Sequence, residues 1–180
     1  TLWRWNTMAW TTDIKASDGI LFDGWILDGY GRARQVMYSG YMNPVTEIPT
    51  GAISIGNRIY TWFMSVNWWG PAGQWTINYA GLAYTESGGQ SFTVVNGFRL
   101  PSSTNFGMVA ASVRWDVLPG TDRYVYVWGT PSGRMGGVKL ARVLPEQIEN
   151  PASYQYYASG TTTPVWVSSE ASAAQIVAPT

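Results

Sequence analysis

The sequence contains no histidine and no cysteine. Those two absences exclude a Ser-His-Asp triad, a thiolate nucleophile, a disulfide, and ordinary zinc or haem ligation. Charge is scarce too: 12% of residues are charged, with 11 Lys plus Arg against 11 Asp plus Glu. Zero net charge and so few basic residues argue against a nucleic-acid partner, whose binding rests on phosphate neutralisation. No apolar run reaches the roughly 18 residues of a membrane span. An enzyme of this composition would draw its acids and bases from carboxylates, Tyr and Lys. With Lys15 and Lys139 the only lysines, carboxylates are favoured. No recognisable calcium loop is present, and no metal or other cofactor is expected.

What is abundant is aromatic. There are 11 Trp and 11 Tyr against 5 Phe. Together with plentiful Gly, Ser and Thr, this fits an all-β protein of the extracellular space or cell envelope. At 180 residues the chain is one domain or part of a larger one. It begins at Thr1 rather than Met, so it is expected to be processed, trimmed or excised from something longer.

Long helical patterns are nearly absent, and short β-rich runs recur between Gly, Pro, Asn and Asp. Strands are expected at Leu2 to Trp10, Gly19 to Leu27, Ala33 to Tyr38, Ala52 to Ile55 and Arg58 to Val66. Gly56-Asn57 between the last two is a two-residue hairpin signal. Further strands are expected at Thr76 to Thr85, Ser91 to Val95, Phe106 to Trp115, Arg123 to Thr130, Val138 to Val143 and Tyr154 to Tyr157. The tail from Ala171 to Thr180 has no obvious partner. The turn and aromatic strand at Gly56 to Trp62 echo those at Thr121 to Trp128, the spacing of one four-stranded propeller blade. Thr85 to Phe92 resembles a degenerate Asp-box, a structural hairpin turn of many propellers, with Ser87 where Asp is usual. Blade-like groups are expected at about 1–45, 46–100 and 101–160, with 161–180 a tail or the start of a further blade.

Among the acids, Asp13, Asp18 and Asp28 read as turn residues. Asp23 lies inside the apolar run Ile20 to Ile26, where a carboxylate must be satisfied by hydrogen bonds or be functional. A structural turn or bulge role is the favoured reading, with a site role as the alternative. Glu47 precedes a strand, where propeller sites gather their residues. Asp116, Asp122, Glu146, Glu149 and Glu170 read as loop or surface charges. A glycosidic bond is commonly cleaved between two carboxylates, but spacing along the chain does not show which pair converges.

The segment Trp68-Trp69-Gly70-Pro71-Ala72-Gly73-Gln74-Trp75-Thr76-Ile77-Asn78-Tyr79 stands out. Three Trp in eight residues, interrupted by Gly-Pro, cannot all be sheet core. Trp69 and Trp75 could stack on sugar rings while Gln74 and Asn78 bind hydroxyls; a packed aromatic corner is the equal alternative. Arg134, in the loop Gly129 to Arg134, could bind an anion, a sugar hydroxyl or a backbone carbonyl.

Read in order, Trp3-Arg4-Trp5-Asn6, Asp18-Gly19, Phe22-Asp23-Gly24, Ile48-Pro49-Thr50, Met64-Ser65-Val66 and Trp69-Gly70 resemble a known bacterial family. Gln74-Trp75, Asn78-Tyr79, Gly88-Gly89-Gln90, Gly129-Thr130-Pro131, Gly133-Arg134 and Leu140-Ala141-Arg142-Val143 continue the likeness. The family is domain of unknown function 4185, associated with glycoside hydrolase family 183. The resemblance implies a five-bladed β-propeller with antiparallel four-stranded blades. It also implies endo-D-arabinanase activity on the D-arabinan of mycobacterial-type arabinogalactan and lipoarabinomannan. An acidic segment that the family carries ahead of the Trp-Arg motif is not in this sequence. The chain is therefore expected to be a fragment, completed by missing propeller or by neighbouring subunits. On this resemblance Asp23 and Glu47 are the candidate catalytic carboxylates, and Trp69, Gln74, Trp75, Asn78 and Arg134 the candidate substrate contacts. A non-catalytic polysaccharide-binding or structural module is the alternative.

Overall fold

The computed structural model describes residues 3–15, 17–42, 44–113, 123–134, 136–160 and 162–178, except for the side chain of Arg134. Trp115, Asp116 and Asp122 lie outside the described residues. Within them the chain is all-β, and every strand pair is antiparallel.

The first large sheet is a four-stranded meander of β3 (Thr46–Ile55), β4 (Arg58–Trp69), β5 (Trp75–Thr85) and β6 (Thr93–Pro101). Its first hairpin closes through Gly56-Asn57, with Ile55 opposite Arg58. Gly56 sits at φ 60°, where a two-residue turn needs a residue without a Cβ penalty. Between β5 and β6 the Thr85 hydroxyl accepts from the Ser87 and Gly89 N–H groups, and Phe92 packs beside Met37.

The second sheet runs in the order β11 (Val165–Val167), β10 (Gln155–Ser159), β9 (Val138–Val143), β8 (Val125–Thr130), β7 (Met108–Val113). The end of the chain is not idle: β12 (Gln175–Val177) pairs with β9 at Val138 and Lys139, while β10 pairs at Ala141 and Arg142. The tail thus covers the half of the β9 edge that β10 leaves open.

The two sheets meet in one apolar core. Trp62, Leu82 and Phe98 of the first pack with Val127, Ala141, Val143 and Tyr156 of the second. Burying side chains of this size contributes about 1.5–3 kcal/mol each. Gly51 lets the backbones approach, since a Cβ there would lie 2.6 Å from the Val109 carbonyl oxygen. Arg58 adds a polar tie, pairing with Glu86 and Glu149 at 2.7 Å each.

The first 45 residues are less regular than their sequence pattern suggests. Among the described residues there, only β1 (Ala9–Trp10) and β2 (Gly24–Trp25) pair as strands, and Ala33 to Tyr38 contributes isolated bridges at Ala33 and Met37. This segment lies over the face of the first sheet opposite the second sheet, packing Met37 and Tyr41 against Phe63 and Tyr79. Covered on both faces, β4 buries every residue from Tyr60 to Val66. That is why its sequence reads as a nearly continuous apolar run instead of an alternation. The sheets do not close into a barrel or a ring of blades among the described residues. No helix there is long and apolar enough to cross a membrane.

Candidate functional site

Strand alternation sends neighbouring residues of β3 to opposite faces. Glu47 pairs with Ser65 of β4, and Ser65 with Tyr79 of β5, so the three form a row across the sheet. This row lies under the N-terminal segment, and Glu47 is fully buried. Its carboxyl oxygens each accept from the Ser39 N–H at 3.2 Å, and the Ser39 hydroxyl donates to Oε1. Asn78 donates to the Ser65 hydroxyl at 3.2 Å. Burial pushes the Tyr79 phenol pKa up. The Arg99 guanidinium lies 4.8 Å from the Tyr79 ring and 5.7 Å from that of Tyr41. Glu47 and Asn78 therefore belong to a closed polar row.

Asn6 fastens the same segment. Its side-chain oxygen accepts from the N–H groups of Val36 and Met37 at 3.1 and 2.8 Å. Its amide donates to the carbonyls of Met37 and Glu47 at 3.2 and 3.4 Å. All four capacities of a buried carboxamide are used to join three stretches of chain.

The other face of β3 tells a different story. Thr46 and Ile48, with Val45, Trp3, Trp5 and Trp69, line a groove of about 610 Å³. Trp69 stands directly opposite Trp75 in the β4–β5 pairing, their ring centroids 5.8 Å apart. Beyond that pair Trp68, Gln74, Trp75, Thr76, Ser132 and Gly133 line a second groove of about 320 Å³. Trp68 and Trp69 are 50% and 46% exposed, whereas Trp75 is buried. A β-hairpin end that keeps two indoles in solvent offers flat apolar surfaces for stacking. Ser132 and Gly133 come from the turn after β8, and they bring the backbone of Arg134 beside this second groove. The Arg134 side chain is outside the described residues.

The remaining carboxylates serve the frame. Asp23 is exposed on the β1–β2 ribbon, where Oδ2 accepts from the Thr12 hydroxyl at 2.8 Å. Asp28 accepts from the N–H groups of Tyr30 and Arg32 and pairs with Arg4 and Arg32. The Arg32 N–H heads the contacts that hold its pKa below the usual carboxylate value. Glu149 accepts from the Tyr60 hydroxyl at 2.8 Å, and Glu170 ties down Thr104 and Asn105. Asp23 and Glu47 share no hydrogen-bond partner among the described residues. No cluster of three His, Cys, Asp or Glu there could hold a metal ion.

Of the seven residues expected at a site, the fold gathers Trp69, Gln74 and Trp75 at one hairpin end. It places Glu47 and Asn78 behind the sheet and Asp23 on the N-terminal ribbon. Trp3, Trp5, Trp68, Thr46 and Ser132 join the grooves without having been singled out as contacts. The Trp3-Arg4-Trp5 cluster, read there as part of a strand, was the available signal.

No curated protein matches this chain. The model of one family, described as a domain of unknown function, covers residues 1–180. On that match, and with its antiparallel all-β fold, the chain belongs to the DUF4185 family.

Proposed function

We propose that this chain holds polysaccharide as part of a secreted or envelope-associated glycoside hydrolase of endo-D-arabinanase type, built on a five-bladed propeller. The observation that carries the reading is the pair of adjoining Trp-lined grooves at the β4–β5 hairpin. Indole faces stack on the C–H faces of sugar rings, and Gln74, Thr76 and Ser132 stand beside them to meet hydroxyls. The choice of D-arabinan of arabinogalactan or lipoarabinomannan as substrate comes from the family resemblance. In this reading one carboxyl group protonates the leaving oxygen and another acts as base or nucleophile. Asp23 and Glu47 are proposed for these roles, and Glu47 reaches a substrate only if the cover around Ser39 moves away.

Incubating the full chain with D-arabinan and analysing the products tests the proposal. Saturable binding with release of oligosaccharides is expected. A folded protein that neither binds nor cleaves D-arabinan at any pH overturns it. One observation favours a second reading, a non-catalytic binding module: Glu47 is enclosed on the face away from the grooves. Binding without release would identify that case.

A further inference from the structure

We infer that the two grooves divide the recognition of a glycan chain: Trp3, Trp5 and Trp69 supply affinity without choosing the sugar, and Gln74 with Thr76 and Ser132 sets which sugar is accepted. The inference rests on the carbohydrate-binding reading above and names the residues that decide its selectivity.

The linings differ in chemistry. Among the described residues the larger groove is lined by three indoles, Val45 and Ile48, and its one side-chain hydroxyl belongs to Thr46, which is buried. Among the described residues its lining holds no side-chain amide, carboxyl or guanidinium group. Nearly every sugar ring presents an apolar C–H face, so indole stacking tolerates epimers, much as aromatic platforms tolerate any base of a single strand. The smaller groove adds exposed Gln74 and Thr76 to Trp68 and Trp75, with Ser132 across from them. A carboxamide offers an acceptor and two donors in fixed directions. The Thr76 hydroxyl hydrogen-bonds the Asn67 side chain, which holds that hydroxyl in place. A site that hydrogen-bonds particular hydroxyls rejects an analogue that misplaces them, because its own polar groups are then left unpaired.

The grooves also adjoin. Trp69 lines one, Trp75 lines the other, and the two face each other across the hairpin. Successive units of one chain can therefore occupy both. None of the described side chains lining either groove is charged.

The test measures dissociation constants of the full chain and its variants for D-arabinan, L-arabinan and galactan, by affinity electrophoresis. Trp3→Ala and Trp5→Phe are expected to weaken every glycan that binds by the same factor, about three- to ten-fold, leaving the ratios between glycans unchanged. Gln74→Ala and Thr76→Val are expected to shrink the preference for the favoured glycan by about ten-fold. Trp3, Gln74 and Thr76 are exposed, so these variants keep the fold. Preference that moves with Trp3 or Trp5, preference untouched by Gln74 and Thr76, or a wild type that binds all three glycans equally overturns the division. A wild type that binds none of them overturns the carbohydrate reading and this inference with it.

Discussion

Ser39 meets the fully buried Glu47 in a contact in which one backbone N–H lies 3.2 Å from both carboxyl oxygens and the serine hydroxyl donates to the same group. It joins the N-terminal segment to the first strand of the large meander. Glu47→Ala leaves the Ser39 N–H and hydroxyl without their acceptor. A loss of about 1–3 kcal/mol in unfolding free energy is expected by urea titration. Limited proteolysis should open the chain first around residues 36–45. Unchanged stability would show that the contact is dispensable.

Asn6 works on the same seam with four hydrogen bonds. Asn6→Ala should cost about 3 kcal/mol, since several buried backbone groups lose partners together. Because Asn6 sits next to Trp5, glycan affinity should fall as well. Asn6→Asp, which keeps the acceptor for Val36 and Met37, should recover part of the stability.

Trp69→Ala removes the indole that lines one groove and abuts the other. Polysaccharide affinity is expected to drop by ten-fold or more, while stability changes by under about 1.5 kcal/mol because the ring is 46% exposed. Titration calorimetry and urea denaturation on the same sample separate the two effects.

Burial pushes the Tyr156 phenol up to about 12 and raises that of Tyr154 further, whose hydroxyl donates to the Ile148 carbonyl at 2.9 Å. Both are neutral in the folded state where the unfolded chain already ionises. Their contribution is intact below about pH 10, the ordinary phenol value, and is lost as pH rises from there through 12. Thermal unfolding should therefore show a fall in Tm above pH 10. The Tyr156→Phe variant should flatten the part of that fall nearest pH 10 to 12.

Gly51→Ala would place a methyl group 2.6 Å from the Val109 carbonyl oxygen, which is backbone and cannot rotate aside. The sheets must separate slightly, at a cost of about 1–3 kcal/mol. An unchanged denaturation midpoint would contradict the close approach of β3 and β7.

Local chemistry made some elements legible. Gly56-Asn57 announces its hairpin because a two-residue turn needs positive φ, and Val138 to Val143 is a strand with the limits its composition suggests. Ala33 to Tyr38 reads as a strand yet only bridges to its neighbours, since Asn6 takes the Val36 and Met37 N–H groups that a ladder would use. The tail had no visible partner because its place on the β9 edge, at Val138 and Lys139 beside the half that β10 pairs, is set by strands distant in sequence.

The site divides in the same way. Trp69, Gln74 and Trp75 lie within seven residues on one hairpin, so their convergence follows from turn geometry. Asn78 lies three residues further on and turns to Ser65, where the pairing shifts register between Ser65 and Val66.

By itself the sequence determined that the chain's own residues supply no imidazole or thiol chemistry and that its frame is antiparallel sheet with an aromatic hairpin. Tertiary structure alone decided that Glu47 turns to Ser39 on one face of β3 while Thr46 and Ile48 take the opposite face, and that Trp3 and Trp5 come to stand beside Trp69. Composition and turn signals act over a few residues. Which face of a strand is covered depends on segments distant in sequence, here the stretch that Asn6 and Ser39 fasten across it.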